Sequence, residues 1–221
     1  MGDHGADLIR GKRTCYEGGV RVPLIVRLPK GKAGQECREL VSSLDLFPTF
    51  LEMSGAEPVP DLPGSSLLPL LRGEKPKWRQ YMPTEFHLHS AHNYYPQRAI
   101  RNDRYKLIEN LQPGEVDPGY EFTVNRFFGQ QVLAALPRAP KKVQVAYALM
   151  KRPPKYQLYD LQMDPYEFVN LAKDPAHRSA LDELSTELTR WRRATRDPLL
   201  NQDNVKRLKA EIDAIRQGND F

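Results

Sequence analysis

The chain has 221 residues, 40% of them hydrophobic, with a formal net charge of +5. That is long enough for one large domain or two small ones with a packed core, and too apolar for a disordered chain. No run of 18 apolar residues is present, which excludes a membrane-spanning helix, and Met1–Lys12 has no apolar core of a signal peptide.

Met1–Arg21 is rich in glycine and charge and reads as loop. Val22–Arg27, VPLIVR, reads as a short buried strand, with Pro23 near its start. Gly31–Glu39 reads as a polar connection. Ser42–Ser54 is expected to be a helix with Leu44, Phe47, Phe50 and Leu51 on one face and Gly55 as its C-cap. Pro58–Gly64 is a proline-rich turn region, and Ser65–Arg72 an apolar segment ended by Gly73.

Arg98–Asn110 reads as a hairpin turning at Asn102-Asp103, and Lys155–Leu161 as a further strand. Strands so close in sequence are expected to pair antiparallel. Gln112–Pro154 has no clear assignment beyond a helix expected at Phe127–Leu136. Ser179–Arg196 is the clearest helix: Leu181, Leu184, Leu188 and Trp191 share one face, and Pro198 stops it. Asn201–Gln217 gives a last helix with Val205, Leu208, Ile212 and Ile215 on one side.

Between Phe122 and Tyr159 stand seven basic residues and no acidic one: Arg126, Arg138, Lys141, Lys142, Lys151, Arg152 and Lys155. Such a run suits an anionic partner, or is simply a solvated face. No nucleic-acid-reading motif accompanies it, so nucleic acid is not expected. The two thiols, Cys15 and Cys37, allow at most one bridge and fix no compartment.

Two short motifs carry chemistry. Asp3-His4-Gly5 offers a carboxylate and an imidazole to a metal, although most such triplets are ordinary turns. In Gly11-Lys12-Arg13-Thr14-Cys15-Tyr16-Glu17-Gly18-Gly19, the glycines allow close backbone approach and Lys12 is a compact cation suited to a sulfate or phosphate oxygen. Taken together, GDHGADLIRGKRTCYEGGVRVP (2–23) resembles the second half of a sulfatase active site. Further along, SLDLFPTFL (43–51), GSSLLPLL (64–71), the hairpin segments RAIR and YKLI, and LYDL (158–161) with Asp164-Pro165, Glu167 and Asn170-Leu171-Ala172 resemble sulfatase segments in the same order. Tyr95-Pro96-Gln97-Arg98 and WRRATRDP (191–198) tilt the resemblance toward the heparan N-sulfatase branch.

The resemblance implies an α/β fold: the C-terminal part of an alkaline-phosphatase-like sulfatase domain at 1–75, then a small α+β subdomain with an antiparallel sheet at 76–221. It implies Asp3 and His4 as ligands of a divalent cation, usually calcium, with the imidazole a departure from an all-oxygen set. It implies Lys12 as the cation that stabilises charge on the sulfuryl oxygens, and His89 and His87 as residues near a sugar substrate. The partner implied is a sulfated glycan, and the setting of the parent periplasmic, secreted or lysosomal. The C/S-x-P-x-R motif that supplies the family's formylglycine is absent from the sequence. The chain therefore reads as a fragment, with little turnover expected of it alone. A related phosphohydrolase, or a non-catalytic piece holding sulfated glycans, are the alternative readings.

Overall fold

The computed structural model describes residues 1–29, 33–90, 93–126 and 128–218. The chain packs as two units, Leu24–Met82 and Met1–Pro23 together with Pro83–Phe221. The sequence reading placed one boundary at residue 75; the packing instead groups the first 23 residues with the C-terminal unit.

The first helix of the chain, α1, is the single turn Glu17–Val20; in the unit Leu24–Met82, a 3₁₀ turn at Ser43–Asp45 leads into α2 (Leu46–Ser54), and α3 is the short helix Leu68–Leu71. Gly55 closes α2 in the left-handed conformation at φ 69°, as its C-cap role requires. Asp45, fully buried, holds this unit together. Its carboxylate accepts from Ser42 N (2.7 Å), Ser65 N (2.8 Å) and both terminal nitrogens of Arg79. Burial alone would raise its pKa, but Arg79 and the backbone donors outweigh it and hold the carboxyl below the usual range. Thr49 Oγ1 accepts from Leu67 N at 2.9 Å. A Cβ at Gly64 would lie 2.0 Å from Leu44 O, so only glycine lets that segment cross the turn. The amphipathic face forms as expected, but Leu44, Phe47 and Phe50 are more than half exposed. Val22–Arg27 is extended chain without strand pairing, and Ile25 is 88% exposed. A strand exists only through a hydrogen-bonded neighbour, and no described strand lies beside this segment. Of the expected connection at 31–39, residues 31 and 32 lie outside the described residues; the remainder is turn and coil.

The other unit is built on a sheet of order β1-β2-β3-β4: Met82–Phe86, Gln97–Arg101, Tyr105–Asn110 and Tyr156–Asp160. β2 and β3 form the expected hairpin, antiparallel with Ile100 opposite Leu107, and β4 continues the antiparallel ladder on β3. Asn102 Oδ1 shapes the turn by accepting from Arg104 N and Tyr105 N at 2.9 and 2.7 Å. Both faces of β2–β4 are covered, so these strands are buried nearly throughout rather than in alternation. α7 (Arg178–Ala194) packs on β2 and β3 through Leu181, Leu184 and Leu188. On the other face, Ala99, Ile108 and Tyr159 meet Ile9, Cys15 and Tyr16 of the N-terminal loop, with Val124 and Met150. α8 (Gln202–Gly218) buries Val205 against Leu111 and Leu199, whereas Ile215 at its far end is 49% exposed.

Three helices occupy the unassigned stretch: α4 (Pro118–Val124), α5 (Gly129–Ala135) and α6 (Lys141–Lys151). Phe127, the first residue of the helix expected there, lies outside the described residues. α4 carries a readable start signal, Asp117 as N-cap accepting at its side chain from Gly119 N, with Pro118 in the first turn.

Two buried ion networks fasten this unit. Arg98, fully buried, pairs in bidentate fashion with Asp197 (2.9 and 2.8 Å), and Arg192 reaches Asp197, Glu109 and Leu199 O at 2.7, 2.8 and 2.8 Å. The two segments that tilted the resemblance toward one branch are therefore one cluster in space. The second network docks the N-terminal loop. Lys106 Nζ donates to Glu17 at 2.9 Å, Arg101 donates to Glu17 at 2.7 Å, and Glu17 N donates to Glu167 at 2.7 Å.

Two outcomes follow. Asp45→Ala removes the acceptor of four donors and leaves Arg79 without its partner; it should destabilise the Leu24–Met82 unit by about 3–5 kcal/mol, read by chemical denaturation. Burial pushes the Asp117 carboxyl up to about 7, against the backbone donors that lower it. The folded state then binds more protons than the unfolded one between about pH 4 and 7, so this group makes stability fall as pH rises through that window. Asp117→Asn keeps the cap and should remove that slope, up to about 1.4 kcal/mol per pH unit, in denaturation midpoints measured from pH 4 to 7.

Candidate active-site loop

Residues 2–21 form a loop that folds back on itself through backbone contacts. Gly5 N donates to Gly19 O at 3.0 Å, Lys12 N to Ala6 O at 2.8 Å and Gly2 N to Pro23 O at 3.1 Å. The glycines of the motif are explained by this crossing. A Cβ at Gly5 would lie 1.8 Å from Gly18 O, and one at Gly11 2.1 Å from Ala6 O.

The loop is clamped from beneath. Arg10 donates to Glu167 O at 2.5 Å and lies 3.9 Å over the Tyr16 ring. Arg13 pairs with Asp7 and donates to Thr123 Oγ1 at 3.3 Å. Cys15 N donates to Gln97 Oε1 at 3.0 Å, and Gln157 Nε2 donates to the Tyr16 hydroxyl at 2.7 Å. Glu17 is held below the usual carboxylate range: burial works against this, and Lys106 and Arg101 outweigh it. Glu167 is pushed upward by burial, which Lys106 offsets only in part. Cys15 is a free, buried thiol pushed up to about 11 by burial; Cys37 is free and exposed. Cys15 therefore lacks the low pKa of a reactive nucleophile.

On this clamped base, Asp3 and His4 face solvent. His4 Nδ1 donates to Gly5 O at 2.7 Å in the tautomer that carries its proton there, which leaves the Nε2 lone pair free. Nε2 stands 3.3 Å from Asp3 Oδ2. Two donor atoms so close can share one cation, so the pair fits as part of a metal site. It does not complete one: among the described residues no group of three His, Cys, Asp or Glu is placed to hold a metal ion, and hard divalent cations take six or more ligands. Lys12 is partly exposed and has no carboxylate partner among the described residues, in a chain segment where Arg10 and Arg13 are both engaged. It borders a gap of only about 10 Å³ with Thr14 and Asp117, room for about one water and no substrate.

His87 and His89 flank β1 and are less constrained. His87 Nε2 lies 3.5 Å from Glu85 without hydrogen-bond geometry. The His89 ring is exposed, while its backbone N–H donates to Asn93 Oδ1 at 2.7 Å. The structure brings Asp3 and His4 into contact and ties Lys12 to the same loop; no hydrogen bond or ion pair joins these three to His87 or His89 among the described residues. Sequence reasoning missed the buried charges that set the loop, Glu17, Lys106 and Glu167. Glu17 stood inside a recognised motif, but no spacing rule marks its partners 89 and 150 residues away.

Residues 2–121 match the family described as N-sulphoglucosamine sulphohydrolase, C-terminal. The chain is 32% identical over 203 residues to an ulvan-active sulfatase of Formosa agariphila, covering 89% of this chain and 37% of that protein. It is 31% identical over 217 residues to N-sulphoglucosamine sulphohydrolase of Homo sapiens, covering 89% of this chain and 41% of that one. Among solved structures, the phosphonate monoester hydrolase of Silicibacter pomeroyi is 26% identical with a TM-score of 0.57, over 83% of this chain and 31% of that chain. The chain thus spans well under half the length of these relatives. The backbone-crossed loop, the antiparallel sheet it docks on and these matches together assign the chain to the sulfatase family, in the C-terminal region of N-sulphoglucosamine sulphohydrolases.

Proposed function

We propose that this chain supplies part of the cation- and sulfate-binding side of a sulfatase-type hydrolase acting on sulfate esters or sulfamates of glycans. The observation that carries this reading is the loop at 2–21, where a solvent-facing Asp3–His4 pair and a cation without a carboxylate partner, Lys12, stand on one clamped backbone. The bound divalent cation, calcium by family resemblance, would screen the sulfate oxygens; Asp3, with His4 through Nε2, would hold it. Lys12 would stabilise the negative charge that grows on those oxygens as the S–O or S–N bond breaks. The formylglycine nucleophile is assigned to sequence beyond these 221 residues, since the motif that would generate it is not among them. By the same reading the complete enzyme works in a periplasmic, secreted or lysosomal setting.

The basic stretch supports an anionic, extended substrate. Arg126, Arg138, Lys141, Lys142, Lys151, Arg152 and Lys155 are all exposed, and none forms an ion pair among the described residues. Unpaired cations on one run of chain keep their field for a polyanion. His89, exposed just after β1, is assigned to the sugar, and His87 to the same rim.

A second reading, hydrolysis of phosphate or phosphonate esters, is favoured by the likeness to the phosphonate monoester hydrolase. Both would use the same cation and Lys12, so substrate preference separates them.

With the formylglycine-bearing portion supplied, Lys12→Ala should lower kcat for N-sulfoglucosamine by about 10²–10³. Faster turnover of phenyl phosphonate esters than of sulfamates would transfer the assignment to the second reading. For the chain alone, retention on immobilised heparin should weaken with salt and shift to lower salt when Lys141, Lys142, Lys151 and Arg152 are all replaced by Gln. Unchanged retention in that variant would remove the basic stretch from the argument.

A further inference from the structure

A cleft of about 210 Å³ lies among the loop after β3, the start of α4 and the polar side of α8. Its volume is below the roughly 300–1,000 Å³ of sites that take drug-sized ligands, which restricts an occupant to about one ring. Two side chains that line it are at least nine-tenths buried and lack partners. Tyr94 is 4% exposed and its hydroxyl has no hydrogen bond; Gln112 is 7% exposed and its Nε2 has none. Buried polar atoms are nearly always paired, so two orphans bordering one cavity indicate a polar group that enters it.

The charges around the cleft define that group. Lys209 is engaged by Asp213 at 2.8 Å and Glu115 at 3.5 Å, and Arg216 lies 3.6 Å from Asp213. Glu121, also lining the cleft, forms no ion pair among the described residues. Three carboxylates against two cations leave the lining net negative, with the uncompensated carboxylate at Glu121. This disfavours a sulfate or phosphate and favours an amine. Val116, Pro118 and Ile212 supply apolar surface that a ring's C–H face can cover.

We propose that this cleft binds the unsulfated form of an amino sugar, its ammonium on Glu121 and its hydroxyls on Tyr94 and Gln112. The site is separate from the loop at 2–21 and does not rest on the function proposed for that loop.

Calorimetric titration of the whole chain with glucosamine, glucose and N-sulfoglucosamine tests it. Glucosamine should bind, glucose should bind at least about tenfold more weakly, and N-sulfoglucosamine, whose nitrogen carries a negative group, should not bind. Glu121→Gln, on an exposed side chain that leaves the fold intact, should abolish the preference for glucosamine over glucose. Tyr94→Phe, with folding checked by thermal unfolding, should weaken both sugars. Lys12→Ala should leave glucosamine binding unchanged. No heat with glucosamine, equal binding of all three sugars, an unaltered preference in Glu121→Gln, or loss of binding in Lys12→Ala would each overturn the proposal.

Discussion

The placement of the loop at 2–21 depends on one buried ammonium. Lys106 is 1% exposed, on β3, the second strand of the hairpin, and stands 2.9 Å from Glu17 and 3.5 Å from Glu167. Arg101, opposite Lys106 in the β2–β3 register, shares Glu17. Two like charges facing each other across a hairpin repel; here one carboxylate from the loop lies against both. The repulsion is relieved only when Glu17 is docked, so the charge arrangement of the sheet selects the docked loop. Glu167 then closes the set from a third segment, its carboxylate accepting the Glu17 backbone N–H and its own backbone held at φ 58°. Removing either side would strand desolvated charge, which is far more costly than the pair is favourable.

The same logic accounts for most of the motif residues that drew attention in the sequence. Asp160 accepts from Arg104, Gln162 N and Met163 N. Asp164 accepts from Val169 N, and Asn170 bridges Leu158 N and Ala172 N. The LYDL–DP–E–NLA run is therefore a self-bonded turn that folds back along β4 and delivers Glu167 beneath the loop. Likewise SLDLFPTFL and GSSLLPLL meet through Asp45, Thr49 and Gly64. These residues hold backbone that would otherwise leave polar groups unpaired. In the function proposed above, chemistry would fall to side chains that the scaffold does not consume: Asp3, His4, Lys12 and His89.

Local signals made much of this fold legible. The Asn102-Asp103 turn, the 3.6-residue spacing of Leu181, Leu184 and Leu188, and Gly55 as a cap each act within a few residues, where propensity and periodicity apply. Val22–Arg27 misled because a β-rich composition does not provide a strand partner. α4 and α6 were missed because prolines on their flanks obscured weak periodicity, although Asp117-Pro118 is a start signal. The loop was recognisable as a motif, but its clamp was not: Glu17, Lys106 and Glu167 come together from sites 89 and 150 residues apart. The cleft at Tyr94 was likewise invisible, since an unpartnered hydroxyl is a property of packing and not of sequence.

Rigidity below and exposure above are what the sulfate-handling role proposed for this loop requires. A cation ligand must be fixed to within a fraction of an ångström to act electrostatically, yet its lone pairs must stay open. His4 meets both conditions: its Nδ1 is committed to Gly5 O at 2.7 Å, which orients the ring, and Nε2 stays free beside Asp3. Lys12 meets them differently, by keeping its ammonium out of the buried contacts that engage Arg10, Arg13 and Lys106. Had Lys12 been paired as these are, its charge would already be neutralised and unavailable to a sulfuryl oxygen. Within this loop, that division between cations spent on structure and a cation left unpaired is the electrostatic feature on which the proposed function rests.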